Sequence, residues 1–152
     1  RMAEIVGLSK TDVRLDGDIP HISIRPRPWR RLKTVSSERD IPLVGSALWG
    51  ITRAYQSTNS EMLFPRYNDG LSTNSNSASA ALSKWLKQQT NPECTMHSFR
   101  HSFRDRLRAV ECPIELTDAL GGWSTDGIGA AYGQGYSLQL KQKWLSAIVL
   151  KP

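Results

Sequence analysis

The sequence predicts a mostly helical protein with a small antiparallel β-sheet, that is, an α+β fold in a single domain. Apolar residues recur at helical spacing along most of the chain, whereas the alternation typical of strands is confined to short segments before residue 44. The 152 residues, of which 39% are hydrophobic and 22% charged, suffice for one core and argue against a wholly disordered chain.

The first half of the chain begins with a short helical segment, Arg1–Leu8, and then becomes rich in strand signals. His21–Ile24 alternates in polarity, and Asp40–Leu43 ends a second extended segment. The prolines between these two segments suit a hairpin loop or an edge strand and not a central strand. Gly45–Gln56 has the spacing of a helix. Ser57–Ser77 is rich in Asn, Ser, Gly and Pro and is therefore predicted to be mostly loop.

Four more helices are predicted in the second half, and they are Ala78–Gln89, His97–Val110, a helix from Pro113 to about Gly121, and Ser137–Leu150. The last of these is amphipathic. Its apolar stripe has to be buried either on its own domain or on a neighbouring protomer, and the stripe consists of Leu140, Trp144, Leu145 and Ile148.

The composition limits the partners and the compartment. Lysine and arginine exceed aspartate and glutamate by 20 − 14 = +6, which favours nucleic acid or another anionic partner. Two cysteines, Cys94 and Cys112, do not make a disulfide framework, so a cytoplasmic protein is expected. No apolar run approaches the roughly 18 residues of a transmembrane helix, and no signal peptide pattern opens the chain.

Two clusters of basic residues are candidates for binding phosphate. The predicted hairpin carries Arg25, Arg27, Arg30, Arg31, Lys33 and Arg39, with Trp29 among them. One face of the helix that begins at His97 carries His97, Arg100, His101, Arg104 and Arg108. Solvated basic surfaces are the simplest interpretation of both clusters. The alternative is contact with DNA, because guanidinium groups bind phosphate through paired hydrogen bonds.

Other chemistries have weaker support in the sequence. Cys94, His97 and His101 lie close together, but a zinc site needs a fourth ligand, and neither HExxH nor CxxC is present. The GxSxG motif of many serine hydrolases is absent as well. No metal is therefore expected.

Four segments, in order, carry a resemblance to a known family. His97-Ser98-Phe99-Arg100-His101-Ser102-Phe103 resembles the HxLRH(S/T)F box of tyrosine recombinases, the phage integrase family. Arg1-Met2-Ala3-Glu4 with Leu8 is similar to the family's RxxExxxL segment. Lys33-Thr34 and Arg39-Asp40-Ile41-Pro42-Leu43 resemble its hairpin lysine and the RxIPL stretch. Leu120-Gly121-Gly122-Trp123, with Tyr132 nine residues after the tryptophan, is similar to its third box and nucleophile.

The chain departs from the family pattern in three places. Phe99 replaces the usual leucine, an extra glycine stands before Trp123, and tryptophan occupies a position where histidine is commoner. The chain also begins with Arg1, so it is interpreted as a catalytic domain spanning residues 1–152, truncated at its N-terminus and without the separate N-terminal DNA-binding domain.

The resemblance implies a site-specific recombinase that cleaves and rejoins DNA strands. Tyr132 would attack phosphorus to give a 3′-phosphotyrosine and a free 5′-hydroxyl, and the covalent bond would keep the energy for rejoining. Tyr136 is a second candidate nucleophile, but it stands thirteen residues after Trp123. The implied catalytic set is Arg1, Lys33, His97, Arg100, Trp123 and Tyr132.

The resemblance also implies the partners. They are double-stranded DNA and a homotetramer formed on DNA, with no cofactor, no membrane and no small-molecule substrate. The expected DNA contacts are Arg25, Arg27, Arg30, Arg31 and Arg104. Two alternatives stay open, namely an enzyme that only nicks and reseals, like a type IB topoisomerase, and a catalytically inactive DNA-binding module.

Overall fold

The computed structural model describes residues 1–90, 93–123 and 135–150. The prediction of a mostly helical chain with a small antiparallel sheet is confirmed. The helices are α1 Met2–Val6, α2 Gly45–Ser57, α3 Ser75–Gln89, α4 Met96–Ala109, α5 Ile114–Gly121 and α6 Leu138–Ala147; the strands are β1 Val13–Arg14, β2 His21–Ile24 and β3 Arg39–Pro42; single 3₁₀ turns span Lys10–Asp12 and Val35–Ser37.

The three strands form an antiparallel sheet in the order β1-β2-β3. Ile22 is the centre of the sheet, because it pairs with Val13 on one side and with Ile41 on the other. Alternation along β2 sends Ile22 and Ile24 into the first core cluster, where Leu8 and Leu43 are also buried. The sheet thus joins the start of the chain to the segment that leads into α2.

The helix boundaries follow from capping. The third helix begins three residues before the predicted Ala78, because the side chain of Asn74 accepts a hydrogen bond from the Ser77 N–H (3.0 Å). Thr95 and Ser98 form a reciprocal capping box at the start of α4. No helix in these described ranges is long and apolar enough to cross a membrane.

The second core cluster lies between α4, α5 and α6. Its buried members are Leu107, Cys112, Leu116, Leu120 and Leu145. Helix α6 also lies against β3, where the buried Lys141 donates to the backbone carbonyl of Asp40 (3.0 Å). Of the apolar stripe of α6, Leu145 is buried, and Trp144 and Ile148 pack half-buried against this cluster, whereas Leu140 is exposed. The stripe therefore packs in part on its own domain.

A buried ion pair between Arg30 and Asp12 connects the hairpin loop to the 3₁₀ turn before β1. Asp12 and Arg30 are each 1% exposed, and their charged groups are 2.9 Å apart. Arg30 also donates to the backbone carbonyls of Gly7 (3.0 Å) and Arg25 (2.8 Å), and Arg27 pairs with the other oxygen of Asp12 (2.7 Å). Both oxygens of Asp12 and all three guanidinium nitrogens of Arg30 have hydrogen-bond partners, as burial of charge requires.

This burial corrects one expectation. Arg30 was expected to contact DNA, but its side chain has 0% exposure in this structure. The guanidinium cannot reach a phosphate unless the loop opens, so its role is structural. Periodicity could not reveal this, because the partner Asp12 lies 18 residues away in the sequence.

Replacing Asp12 with asparagine should destabilise the domain by about 3–5 kcal/mol, because Arg30 would be left as a buried charge with its compensation removed. Urea denaturation followed by circular dichroism measures the change. The matched control is Asp105→Asn, which breaks the exposed Arg108–Asp105 pair (3.0 Å) and should change stability little. Equal effects of the two substitutions would contradict the structural role of the buried pair.

The same carboxylate should make stability depend on pH. Burial alone would raise the pKa of Asp12, but hydrogen bonds from Arg27, the Ser9 N–H and Arg30 outweigh burial and lower it. A pKa that is depressed in the folded state stabilises the fold above the unfolded value of about 3.9, and this contribution is lost as pH falls through the folded pKa. Between about pH 5 and pH 2, the free energy of unfolding should therefore fall more steeply in the wild type than in Asp12→Asn. Parallel pH profiles would show that Asp12 does not contribute.

Candidate active site

Helix α4 brings two arginines to the ring of Trp123. Arg100 and Arg104 are one turn apart, and their guanidinium carbons lie 4.3 Å and 5.0 Å from the centroid of the indole ring. The ring of Phe103 is 6.3 Å away and tilted. Trp123, which directly follows the end of α5, is therefore held against α4 by cation–π and aromatic contacts.

Arg1 joins three separate parts of the chain. Its Nη1 donates to Oε1 of Glu4 (2.9 Å) and to the hydroxyl of Ser37, and its Nη2 donates to the carbonyl of Gly122 (3.3 Å). These contacts link α1, the 3₁₀ turn before β3 and the C-terminal end of α5. The guanidinium of Arg1 is consequently fixed on several sides, as a preorganised donor requires.

Arg39 is a further cation of this cluster; the sequence placed it among the basic residues of the hairpin but not in the implied catalytic set or among the expected DNA contacts. Its Nη2 donates to Oε2 of Glu4 (2.9 Å), its Nε to the carbonyl of Leu120 (3.1 Å) and its Nη1 to the carbonyl of Ser37 (2.6 Å). The sequence signal that could have indicated it is its position at the start of the RxIPL stretch. Arg39 and Arg1 thus hold the two oxygens of one buried carboxylate.

The cluster carries more positive than negative charge. Arg1, Arg39, Arg100 and Arg104 face two carboxylates, Glu4 and Asp118, so these six side chains sum to 4 − 2 = +2. Burial acts to raise the pKa of Glu4, and the charge and hydrogen bond of Arg39 act to lower it. The pKa of Arg100 is lowered by burial first and then by the charge of Arg1. Such an excess of partly buried cations favours binding of an anion.

The two glycines before Trp123 have separate steric reasons. Gly122 ends α5 in the left-handed conformation (φ 61°), and a Cβ there would stand 2.6 Å from Nη1 of Arg39. A Cβ on Gly121 would overlap the indole ring of Trp123. The extra glycine in the sequence is therefore a requirement of the close approach between the end of α5 and the cluster.

The remaining predicted catalytic residues lie at different places. His97 is exposed in the first turn of α4, and its ring meets that of His101 edge-on at 4.9 Å. Lys33 is exposed on the segment before the second 3₁₀ turn. Tyr132 lies outside the described residues. The structure thus brings together Arg1, Arg100 and Trp123, with His97 one turn before Arg100 on the same helix.

Tyr136, the second candidate nucleophile, is engaged elsewhere. Its hydroxyl donates to Oε2 of Glu115 on α5 (3.0 Å). Burial, followed by the hydrogen bond and charge of Glu115, raises the pKa of Tyr136. This residue links the start of α6 to α5 and packs against the second core cluster, which is a structural role.

The expected DNA-contacting arginines differ in their surroundings. Arg25 makes two hydrogen bonds to Asp40 (2.8 and 3.0 Å), Arg27 pairs with Asp12, and Arg104 is 3.4 Å from Asp118. Arg31 is exposed. Within the described ranges, no three His, Cys, Asp or Glu side chains lie close enough to hold a metal ion.

Substituting Gly121 with alanine should disrupt the site more than the fold. The new methyl group would push the Trp123 ring away from Arg100, so the DNA cleavage that the sequence resemblance implies should fall by roughly tenfold or more, and the melting temperature should drop. The control is Gly50→Ala in α2, where a Cβ meets nothing within 4 Å and alanine should stabilise the helix by about 0.5–1 kcal/mol. Full activity in Gly121→Ala would contradict the contact between Gly121 and Trp123.

Comparison with known proteins assigns the family. Searches of curated proteins and of solved structures found no significant match. A scan against models of protein families matched the one described as the phage integrase family over residues 1–136, which includes every segment of the resemblance seen in the sequence. The chain therefore belongs to the phage integrase family, the family of the tyrosine recombinases.

Proposed function

We propose that this chain is the catalytic domain of a site-specific DNA recombinase that acts through a 3′-phosphotyrosine intermediate. The observation that carries the proposal is the convergence of Arg1 and Arg100 beside Trp123 in a cluster with an excess of positive charge. Family membership over residues 1–136 supports it. We further propose that the helices and the three-stranded sheet form the tyrosine recombinase catalytic fold.

In the proposed cleavage step the hydroxyl oxygen of Tyr132 attacks the scissile phosphorus. The bond between phosphorus and the 5′-oxygen breaks, and the strand leaves as a free 5′-hydroxyl. His97 accepts the tyrosine proton, and Lys33 donates a proton to the leaving oxygen. Rejoining is the reverse attack by a 5′-hydroxyl, so neither ATP nor another cofactor is needed.

Arg1 and Arg100 stabilise the charge that gathers on the non-bridging oxygens. Each offers a planar fork of N–H donors that matches the geometry of a phosphate. Loss of one such donor should cost about 10²–10³ in rate. The indole N–H of Trp123 can donate to the phosphate but cannot exchange a proton at working pH.

The proposed substrate is double-stranded DNA, bound by a homotetramer in the cytoplasm. The net charge of +6 and the basic residues on the hairpin loop support binding to DNA. Arg31 is the exposed member, while Arg25 and Arg27 would contact phosphate by exchanging their partners Asp40 and Asp12 for it. Arg30 is left out of the proposed contacts because it is buried.

Tyr132→Phe should abolish covalent attachment to DNA while leaving DNA binding intact, because only the attacking oxygen is removed. The substrate is a pool of labelled duplexes with a randomised central sequence and a nick, which traps the intermediate, and adducts are detected on a denaturing gel. Tyr136→Phe is the matched control and should retain the adduct.

Three results would contradict this proposal. Absence of adduct in the wild type would favour a catalytically inactive DNA-binding module. Loss of adduct only in Tyr136→Phe would move the nucleophile to Tyr136. Efficient relaxation of supercoiled DNA without strand exchange between two copies of a recovered site would favour nicking and resealing alone.

A further inference from the structure

Arg104 is fixed from two directions by groups of its own domain. Its guanidinium lies over the ring of Trp123 (5.0 Å to the centroid), and its Nη2 is 3.4 Å from Oδ1 of Asp118. Asp118 is only 6% exposed. The planar guanidinium therefore lies over the ring and is charge-paired through Nη2, a combination that arginine offers and lysine does not.

Asp118 holds both partners of this contact. Its side chain pairs with Arg104, and its backbone carbonyl accepts the N–H of Trp123 (3.0 Å) at the end of α5. The backbone of Trp123 and the cation over its ring are thus anchored on the same residue. The indole ring also needs the space beside Gly121, where a side chain would overlap it.

Arg100 contacts the same indole ring. Its guanidinium lies 4.3 Å from the centroid of the same ring, closer than that of Arg104. Two like charges one helical turn apart repel each other, and Arg104 contributes to lowering the pKa of Arg100. Asp118 offsets this repulsion, so the indole can accommodate both cations.

We propose that Arg104 is a positioning residue which, together with Asp118, holds the indole of Trp123 against Arg100 and so fixes the plane in which Arg100 presents its N–H donors. This role replaces the expected contact between Arg104 and DNA. The effect on cleavage rests on the proposed function, whereas the effect on the position of Arg100 does not.

The position of Arg100 can be measured without DNA. The ring current of Trp123 should shift the Nε–Hε NMR signal of Arg100 upfield, and Arg100→Lys assigns that signal by its disappearance. In Arg104→Gln the signal should move towards the position of a free arginine. In Arg53→Gln it should stay, although that variant also removes an arginine that lies over a tryptophan, Trp49 (5.3 Å).

The second measurement separates positioning from contact with phosphate. For Arg104→Gln we expect covalent adduct to form about 10- to 100-fold more slowly at saturating protein, with the salt dependence of DNA binding unchanged. A residue that binds phosphate would instead reduce the log–log salt slope by about 0.9 and leave the rate at saturation intact. The substrate is the nicked duplex pool described above, and Arg53→Gln is again the control.

Arg104→Lys separates a loss of positioning from a loss of folding, because lysine keeps a cation near Asp118 but lacks the planar group. It should melt close to the wild type and still lose the upfield shift of Arg100. An unchanged Arg100 signal in both variants overturns the proposal, as does a reduced salt slope with an unchanged rate. If the signal moves but the wild type forms no adduct, the positioning holds and the proposed recombinase function fails.

Discussion

The arrangement of the site depends on one buried carboxylate, that of Glu4. It is 2% exposed, and its two oxygens are held by Arg1 and Arg39 at 2.9 Å each. A charge this deeply buried is tolerated only when it is paired and hydrogen-bonded. Because Arg1 directly precedes α1 and Arg39 begins β3, pairing both with Glu4 brings α1 and β3 together.

The same constraint extends to the end of α5. Arg39 and Arg1 also donate to the carbonyls of Leu120 and Gly122, which lie at the end of α5, where the last carbonyls of a helix lack partners within it. The end of α5 is thereby brought to the arginines. Only glycine fits at residues 121 and 122, since a side chain at either position would collide with Trp123 or Arg39.

Internal carboxylates decide which arginines are left for a ligand. Asp12 engages Arg27 and Arg30, Asp40 engages Arg25, and Asp118 engages Arg104. Each of these pairs occupies N–H donors that a phosphate would otherwise use, so part of the basic composition stabilises the fold. The density of arginine in a segment is therefore a poor guide to the surface that meets DNA.

The sequence by itself determined the class of fold, the approximate position of each helix, the β2–β3 pairing and the family. These follow from local signals, namely apolar spacing, capping residues and motifs whose members lie within a few positions of one another. Tertiary structure alone decided that Arg30 is buried, that Arg39 joins the site and that Arg104 pairs with Asp118 beneath Trp123. The partners in those contacts are 14 to 81 residues apart, and whether two charges meet across such a distance depends on packing, which no local pattern encodes.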